Sequence, residues 1–462
     1  MQSPYTSSTI VRTPSGLTRS ESRSRTATLS NPQDPLSLTS LIESATVNGS
    51  TSQSSYNASA RRMTLTSAGG RVTTMDYDPL GHVVAIAAPG VQLLQLHYDS
   101  RGRNDMITQG TRVTTLTYRA DGFLGSVLDA LQHSTFFGYD LAGRSTSQTL
   151  PDLNVIGTSF DPNGNVISVS PPSRPAHVFA YTPVDLEKDY TPPDLGQLRT
   201  THTDYNLDQQ VSSVSRPDGD LITPTYDTAK GRLTVLTTSR GSNTYGYSAS
   251  TGQLTNITTF DGVGLTYGYD GSLLKDLTWT GPISGNVHKT YDPNFRVSTE
   301  NVTGGQTINF GFDNDNLLTS AGAITITHDP ATGLVTGTTL GAINESRTYD
   351  VYGAEKTYTV IANGTTLYWV DYGTRDALGR IVNKTETIQG STHVYGYIYD
   401  AVGRVTDVAI DGNATSHYEY DANGNRLVGP GLTVSPVYDN QDRLLSYGSC
   451  AYSYKTDGSL QT

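Results

Sequence analysis

The stretch that decides the fold is Tyr395-Gly396-Tyr397-Ile398-Tyr399-Asp400-Ala401-Val402-Gly403-Arg404-Val405. Its tyrosines stand at alternate positions, and a period of two places Tyr395, Tyr397 and Tyr399 on one face of an extended strand. The Asp-x-x-Gly that follows favours a chain reversal, because aspartate bonds to the backbone of a tight turn and glycine adopts positive φ without steric cost. The stretch therefore predicts the tip of a β-hairpin.

The same pattern recurs along most of the chain. Clear copies are Tyr98-Asp99-Ser100-Arg101-Gly102-Arg103, Tyr139-Asp140-Leu141-Ala142-Gly143-Arg144 and Tyr420-Asp421-Ala422-Asn423-Gly424-Asn425. From Tyr77 onward, tips follow one another at intervals of roughly 20–22 residues, which is the signature of a repeat architecture. Two short strands and two turns fill such an interval, so we expect each repeat to be one hairpin.

Composition supports β-structure and limits the classes of partner. Only 16% of the 462 residues are charged, and threonine, serine and glycine dominate the polar positions, which suits strands and turns and disfavours helix. The net charge is -12, yet residues 1–75 hold seven arginines against three acidic residues. The remainder is therefore strongly acidic, which argues against nucleic-acid binding there. Cys450 is the only cysteine, so an intramolecular disulfide is excluded.

The pattern divides the chain unevenly. Residues 1–70 are predicted to be degenerate repeats, with a polar N-terminal leader as the alternative, and residues 71–462 to be the repeat array. Two stretches break the rhythm, the proline-rich residues 170–195 and residues 350–375, and both are predicted to be irregular. The sequence contains neither a signal-peptide pattern nor an apolar run of about 18 residues. This fits either a soluble intracellular protein or an internal piece of a longer one.

The predicted fold class is all-β. Tandem hairpins of about 21 residues would form a long sheet that spirals around a hollow interior, because strand twist prevents so wide a sheet from staying flat. A β-propeller is the alternative, with two hairpins in each four-stranded blade. The spiral is favoured because the motif recurs in every repeat without alternating between two types.

The repeated Tyr-Asp-x-x-Gly-Arg tips resemble YD repeats, also called RHS repeats, which occur in teneurins, bacterial toxin-complex shells and large bacterial surface proteins. The resemblance covers at least residues 70–460. It implies a β-shell that encloses a cavity, which holds an effector in the toxins and supports adhesion modules in the teneurins. Toxin shells also end in a self-cleaving region with Asp-Pro-x-Gly motifs. Here Asp161-Pro162-Asn163-Gly164 has that form in mid-chain, so self-cleavage is not predicted.

On this basis we predict a structural or interaction protein rather than an enzyme, one that serves enclosure, adhesion or assembly as part of a larger secreted or surface-displayed bacterial protein. Localisation outside the cell follows from the resemblance alone. Open strand edges should bind flanking segments of the full-length chain or further copies. Glycans or cell-surface receptors are further candidate partners.

The alternative function is binding or degradation of a polysaccharide. The densest group of titratable residues in an irregular segment is His177, Tyr181, Glu187 and Tyr190, where a tyrosine and a histidine could act as acid and base. No cofactor or metal motif is present, and the acidic, asparagine-rich tips that suggest calcium are better explained by turn geometry. The tyrosine ladder and the Asp/Arg pairs flanking the tips likewise favour structural roles over a sugar-binding surface.

Overall fold

The computed structural model describes residues 6–196 and 199–462, and these residues form 43 β-strands, one short 3-10 turn at Pro35–Ser37 and no α-helix. The strands are β1 Ser8–Arg12, β2 Thr18–Leu29, β3 Leu38–Val47, β4 Ser50–Asn57, β5 Arg62–Thr66, β6 Val72–Tyr77, β7 Val83–Ala87, β8 Leu94–Tyr98, β9 Asn104–Gln109, β10 Arg112–Tyr118, β11 Leu124–Leu128, β12 Ser134–Tyr139, β13 Ser145–Thr149, β14 Val155–Phe160, β15 Val166–Ser170, β16 His177–Tyr181, β17 Glu187–Thr191, β18 Thr201–Tyr205, β19 Val211–Ser215, β20 Leu221–Tyr226, β21 Leu233–Thr238, β22 Gly241–Tyr247, β23 Leu254–Thr258, β24 Gly264–Asp270, β25 Leu273–Thr280, β26 Gly285–Tyr291, β27 Val297–Val302, β28 Ile308–Phe312, β29 Leu318–Ala321, β30 Ile324–His328, β31 Val335–Leu340, β32 Ile343–Tyr349, β33 Glu355–Ala362, β34 Thr365–Asp371, β35 Asn383–Ile388, β36 Ser391–Tyr399, β37 Val405–Ile410, β38 Asn413–His417, β39 Glu419–Tyr420, β40 Arg426–Val428, β41 Val437–Tyr438, β42 Leu444–Tyr447 and β43 Cys450–Ala451.

Consecutive strands pair as antiparallel hairpins, which confirms the predicted fold class. From β11 to β23, each strand pairs with the next without a break. A propeller would instead separate the strands into four-stranded blades. The predicted alternation also holds, since Tyr395, Tyr397 and Tyr399 are half-buried while Val394 and Ile398, on the other face of β36, are exposed.

The tip formed by residues 400–404 is a tight turn that its aspartate closes. The Asp400 N–H donates to the Arg404 carbonyl at 2.9 Å, and the Gly403 N–H donates to the Asp400 carbonyl at 3.1 Å. Gly403 has φ 96°, so the tip is a type I turn followed by a left-handed residue, which produces a bulge. The register accordingly shifts between Ile398 and Tyr399, just before the tip.

Successive tips are joined by the tyrosine and the arginine of the motif. The Tyr420 hydroxyl donates to the carbonyl of Val405, one residue beyond the previous tip, at 2.8 Å. The Arg404 guanidinium lies over the Tyr420 ring at 5.1 Å and donates to the Asp421 carbonyl at 3.0 Å. Equivalent tyrosine bonds recur at Tyr98, Tyr181, Tyr226, Tyr247 and Tyr349. The motif therefore links one hairpin to the next.

The chain separates into two compact units, each built from two segments. Unit 1 contains Met1–Thr115 and Thr266–His393, and unit 2 contains Leu116–Leu265 and Val394–Thr462. Besides its tip, every hairpin repeat has a second turn, which joins it to the next repeat at the opposite edge of the sheet. In both units, second turns of the earlier segment contact tips of the later segment.

These contacts have a nearly constant sequence separation. In unit 1, the Ser15 N–H donates to Asp270, 255 residues away, and the Thr111 hydroxyl lies 3.3 Å from the Tyr352 hydroxyl, 241 residues away. In unit 2, the side-chain amide of Gln441 donates to the Pro193 carbonyl over 248 residues. Within each unit, a second turn thus contacts a tip that lies roughly twelve repeats later in the sequence.

The two stretches predicted to be irregular contain ordinary hairpins. Residues 170–195 include β16 and β17, which pair in antiparallel register, and residues 350–375 include β33 and β34. Pro171, Pro172, Pro192 and Pro193 lie outside the strands, so they remove no ladder hydrogen bond. The first five residues of the predicted 1–70 segment lie outside the described residues, and the rest of that segment contains β1 to β5.

Side-chain burial is shallow throughout the described ranges. Val370 is their only large apolar side chain with no exposed surface. Because there is no deep apolar core, stability must come from cross-strand pairs and from the contacts of the turns.

Candidate functional site

The four residues singled out from the sequence lie on one hairpin, β16–β17. Phe179 stands opposite Tyr190, and Tyr181 opposite Glu187. His177 precedes Phe179 by two positions, so it shares the face of Phe179 and Tyr190. The structure therefore brings the predicted residues together, but it gives them different roles.

His177 and Tyr190 form a hydrogen-bonded, stacked pair. The His177 Nδ1 atom lies 2.8 Å from the Tyr190 hydroxyl, and the two rings are nearly parallel, 8° apart. Phe179 extends the row, with its ring centroid 5.3 Å from that of Tyr190. Burial, followed by the nearby Glu187 carboxylate, raises the pKa of Tyr190. The phenol therefore stays protonated at neutral pH, which suits a hydrogen-bond donor better than a base.

Tyr181 performs the structural role of a tip tyrosine. Its hydroxyl donates to the Val166 carbonyl at 2.9 Å, as Tyr420 does to Val405 in its own repeat. Burial raises its pKa, with smaller contributions from Glu187 and Asp161. The Glu187 side chain is exposed, and its main-chain carbonyl accepts from the Tyr205 hydroxyl at 2.7 Å.

We expect Tyr181→Phe to lower the free energy of unfolding by about 1 kcal/mol, because it leaves the Val166 carbonyl without its donor while keeping the ring. Urea-induced unfolding measures this loss. Val178→Thr, on the exposed face of the same strand, serves as the control and should change stability by less than about 0.5 kcal/mol. Equal losses in the two variants would contradict the role assigned to the hydroxyl.

Sequence inspection missed a set of histidine–aspartate pairs across neighbouring strands. His202, His288 and His417 stand directly opposite Asp189, Asp276 and Asp407. Their Nδ1 atoms lie 2.6, 2.6 and 2.7 Å from those carboxylates. All three histidines occur three residues before a tip tyrosine. That spacing is visible in the sequence, but the aspartate partners emerge only once the strand register is known.

Two of these histidines lie between two carboxylates. The Nε2 atom of His202 is 3.1 Å from Asp204, and that of His417 is 3.4 Å from Glu419. The hydrogen bond with Asp189, followed by that with Asp204, raises the pKa of His202; Asp407 and then Glu419 do the same for His417. Both imidazoles are therefore favoured in the charged form.

The raised pKa values predict that stability decreases as the pH rises. A histidine whose pKa is higher in the folded state stabilises fully below its unfolded value of about 6.5, and this stabilisation is lost as the pH rises through the folded value. We expect the melting temperature to decline from about pH 6.5 upward, and the decline to be shallower in the double variant His202→Gln, His417→Gln. Calorimetry at a series of pH values measures it, and an unchanged slope in the double variant would count against these pairs.

The turn-to-turn contacts rely on arginines of the second turns. In unit 1, Arg71 donates to Asp313 at 3.1 Å and also pairs with Asp315, while Arg112 lies over the Tyr352 ring at 3.6 Å. In unit 2, Arg174 pairs with Asp421 and Asp442, and Arg216 with Asp457 at 3.0 Å. These charges hold polypeptide segments together, since carboxylates of the tips already bind them.

Unit 1 also contains a cavity of about 760 Å³ beside the long strands β2 to β4. Leu65, Val91 and Leu334 contribute apolar surface, and Arg25 and Glu43 lie at the same cavity. The two charged side chains pair with each other at 2.5 Å. Arg23 and Arg71 also line the cavity, and each of them has a carboxylate partner, Glu21 for Arg23 and Asp313 with Asp315 for Arg71.

No metal-like cluster and no membrane-spanning helix occur in the part of the chain that the structure describes. Within residues 6–196 and 199–462, no three histidine, cysteine, aspartate or glutamate side chains converge as metal ligands would. In the same ranges, no helix has the length and apolarity that crossing a bilayer requires.

Comparison with known proteins places these features in context. The family model described as Teneurin YD-shell matches residues 3–462. Teneurin-4 of Homo sapiens is 24% identical over 430 residues, which cover 80% of this chain and 14% of the relative. Teneurin-3 of Danio rerio is 31% identical over 119 residues, covering 24% of this chain and 4% of the relative. The chain thus spans only a small part of the curated relatives.

Solved structures show the same fold at low sequence identity. The crystal structure of TcdB2-TccC3 without its hypervariable C-terminal region has a TM-score of 0.57 at 13% identity, covering 98% of this chain and 29% of that chain. The Photorhabdus luminescens Tc holotoxin pore with the TccC3-D651A mutation has a TM-score of 0.54 at 13% identity, covering 96% and 29%.

Proposed function

Since the chain belongs to the Teneurin YD-shell family, we propose that it is a wall segment of a larger extracellular or cell-surface protein, in which it serves enclosure and assembly. The observation that supports the proposal is that side chains of the repeated motif bind other parts of the sheet. The tip tyrosine and arginine bind a neighbouring hairpin, as Tyr420 and Arg404 do, and a tip aspartate such as Asp421 accepts from a second turn 247 residues away. Side chains engaged in this way favour a scaffold over a reaction centre.

The proposal is tested in the full-length protein that contains this segment. The double variant Arg71→Ala, Arg174→Ala removes one arginine-mediated turn-to-turn contact from each unit. If the segment encloses other parts of the protein, limited proteolysis should cleave those parts about tenfold faster or more in the variant than in the unchanged protein. Arg62→Ala is the control, because this exposed arginine pairs with Asp76 on the neighbouring strand instead of with a distant tip. Equal cleavage rates in all three proteins would reject enclosure.

A second proposal is glycan binding on the β16–β17 hairpin, and the row of rings formed by His177, Phe179 and Tyr190 is the observation that favours it. Aromatic faces pack well against apolar sugar faces. The intact chain should then retain acidic or neutral polysaccharides, and the variants His177→Ala and Tyr181→Ala should retain less of them. Absence of both retention and depolymerisation for every polysaccharide would reject it.

A further inference from the structure

One turn-to-turn contact of unit 2 is a two-carboxylate site that holds an arginine. Arg174, in the turn before β16, donates through Nη2 to Asp421 at 3.0 Å and through Nε to Asp442 at 2.8 Å. The side-chain amide of Asn425 joins the same two carboxylates, at 2.9 Å from Asp421 Oδ2 and 2.6 Å from Asp442 Oδ1. The site therefore spans two adjacent tips, and the guanidinium bridges them.

The same arrangement exists a second time in unit 2. The side-chain amide of Asn165 lies 2.9 Å from Asp161 Oδ2 and 2.8 Å from Asp185 Oδ1. Asp161 and Asn165 are the first and fifth residues of their tip, as Asp421 and Asn425 are of theirs.

The remaining parts correspond as well. Asp185 and Asp442 are both fourth in the next tip, with φ of 60° and 57°. The arginine of the preceding tip donates to the tip carbonyl in both copies, Arg144 to Asp161 at 2.7 Å and Arg404 to Asp421 at 3.0 Å. The acceptor groups are thus preformed in the second copy.

The two copies differ in the bridging cation. Among residues 6–196 and 199–462, no lysine or arginine side chain donates to the carboxylates of Asp161 or Asp185, and Asp185 is exposed. In the occupied copy, Asn423 donates to the Pro172 carbonyl of the bound turn at 2.9 Å; in the other copy, Asn163 donates to Asp185 instead, also at 2.9 Å. Hydrogen bonds, led by that from Asn165, lower the pKa of Asp161, so this acceptor is ionised at neutral pH.

We propose that Asp161, Asn165 and Asp185 form a binding site for an arginine on an exposed turn of a partner polypeptide. A planar guanidinium can donate to two carboxylates at once, whereas an ammonium is a point charge and suits such a site less well. The occupied copy identifies the ligand chemistry, because it holds a guanidinium on the same acceptors. Within this chain the matching arginine, Arg174, already binds its own site, which favours a different polypeptide over a second copy. The inference does not depend on the proposed function.

The probe for the test is a fluorescein-labelled cyclic peptide of residues 169–177, which contains the Arg174 turn. Fluorescence anisotropy should show binding that weakens at least tenfold when the protein carries Asp185→Asn or when the arginine of the peptide is replaced by lysine. Asparagine tolerates the positive φ at position 185, so this variant should fold. Asp208→Asn, which removes an exposed charge from the next tip, and Asp442→Asn, which alters the occupied copy, should leave peptide binding unchanged.

Three results would overturn the proposal. The first is that the lysine peptide binds as tightly as the arginine peptide, and the second is that Asp208→Asn weakens binding as much as Asp185→Asn; both results would indicate general charge attraction. Alternatively, sedimentation velocity could show that the chain self-associates and that Asp185→Asn abolishes this, in which case the occupant is a second copy.

Discussion

Arg71→Ala is expected to lower the free energy of unfolding by about 2–3 kcal/mol, because it removes charged hydrogen bonds and leaves carboxylates partly buried. The Arg71 side chain is only 17% exposed and Asp315 only 11%. Although burial raises the pKa of Asp315, the hydrogen bonds from Ser67, Gly69 and Arg71 together lower it. The carboxylate therefore remains charged in a poorly solvated place when its cation is removed. Urea-induced unfolding measures the total loss.

Hydrogen exchange should locate the same effect. Because Arg71 joins the turn at residues 67–71 to the tip at residues 313–317, peptides from both segments should lose protection together, although they are far apart in sequence. Arg62→Ala is the matched control, since Arg62 pairs with Asp76 at 2.5 Å but is 51% exposed. An exposed pair contributes about 0–1 kcal/mol. Equal losses in the free energy of unfolding for Arg62→Ala and Arg71→Ala would contradict a stabilising role for the turn-to-turn contact of Arg71.

The hairpin tips could be predicted from the sequence because their determinants are local. Asp400, Gly403 and Arg404 fall within five residues, and the carboxylate binds the backbone of that same turn. The partner of Arg71 could not be predicted, since Asp315 is 244 residues away and the second turns have no common motif. Only the nearly constant separation of such contacts reveals the pattern, and it becomes visible once several contacts are known.

The regular hairpin within residues 170–195 has a simple physical explanation. Proline removes one backbone donor from a ladder, but it does not prevent the residues between two prolines from forming strands. His177–Tyr181 and Glu187–Thr191 are strands of five residues each, short enough to fit between Pro175 and Pro183 and between Pro183 and Pro192. The candidate cluster was therefore found on a regular hairpin, where His177 and Tyr190 bond to each other and Tyr181 maintains the repeat.

The second large effect is expected at the tip of residues 395–405. Asp400 Oδ1 accepts from the N–H groups of Val402 and Arg404 at 3.1 and 2.9 Å, and Oδ2 accepts from Arg404 Nε at 2.6 Å. Asp400→Ala removes all three bonds, and we expect it to lower the free energy of unfolding by about 2–3 kcal/mol in urea-induced unfolding. Part of the loss comes from the turn and part from the ion pair.

Asp400→Asn separates these two parts, because asparagine keeps the acceptor for the turn and removes the charge that pairs with Arg404. The chain already contains such a tip, in which Asn206 Oδ1 accepts from the N–H groups of Asp208 and Gln210 at 3.0 and 2.9 Å. If turn geometry dominates, Asp400→Asn should cost less than about 1 kcal/mol, as expected for a weak ion pair. A loss equal to that of Asp400→Ala would instead assign the stability of the tip to the Asp400–Arg404 pair. In that case Arg404→Gln should lower the free energy of unfolding as much as Asp400→Ala does. The double variant Asp400→Asn, Arg404→Gln should regain little of that free energy.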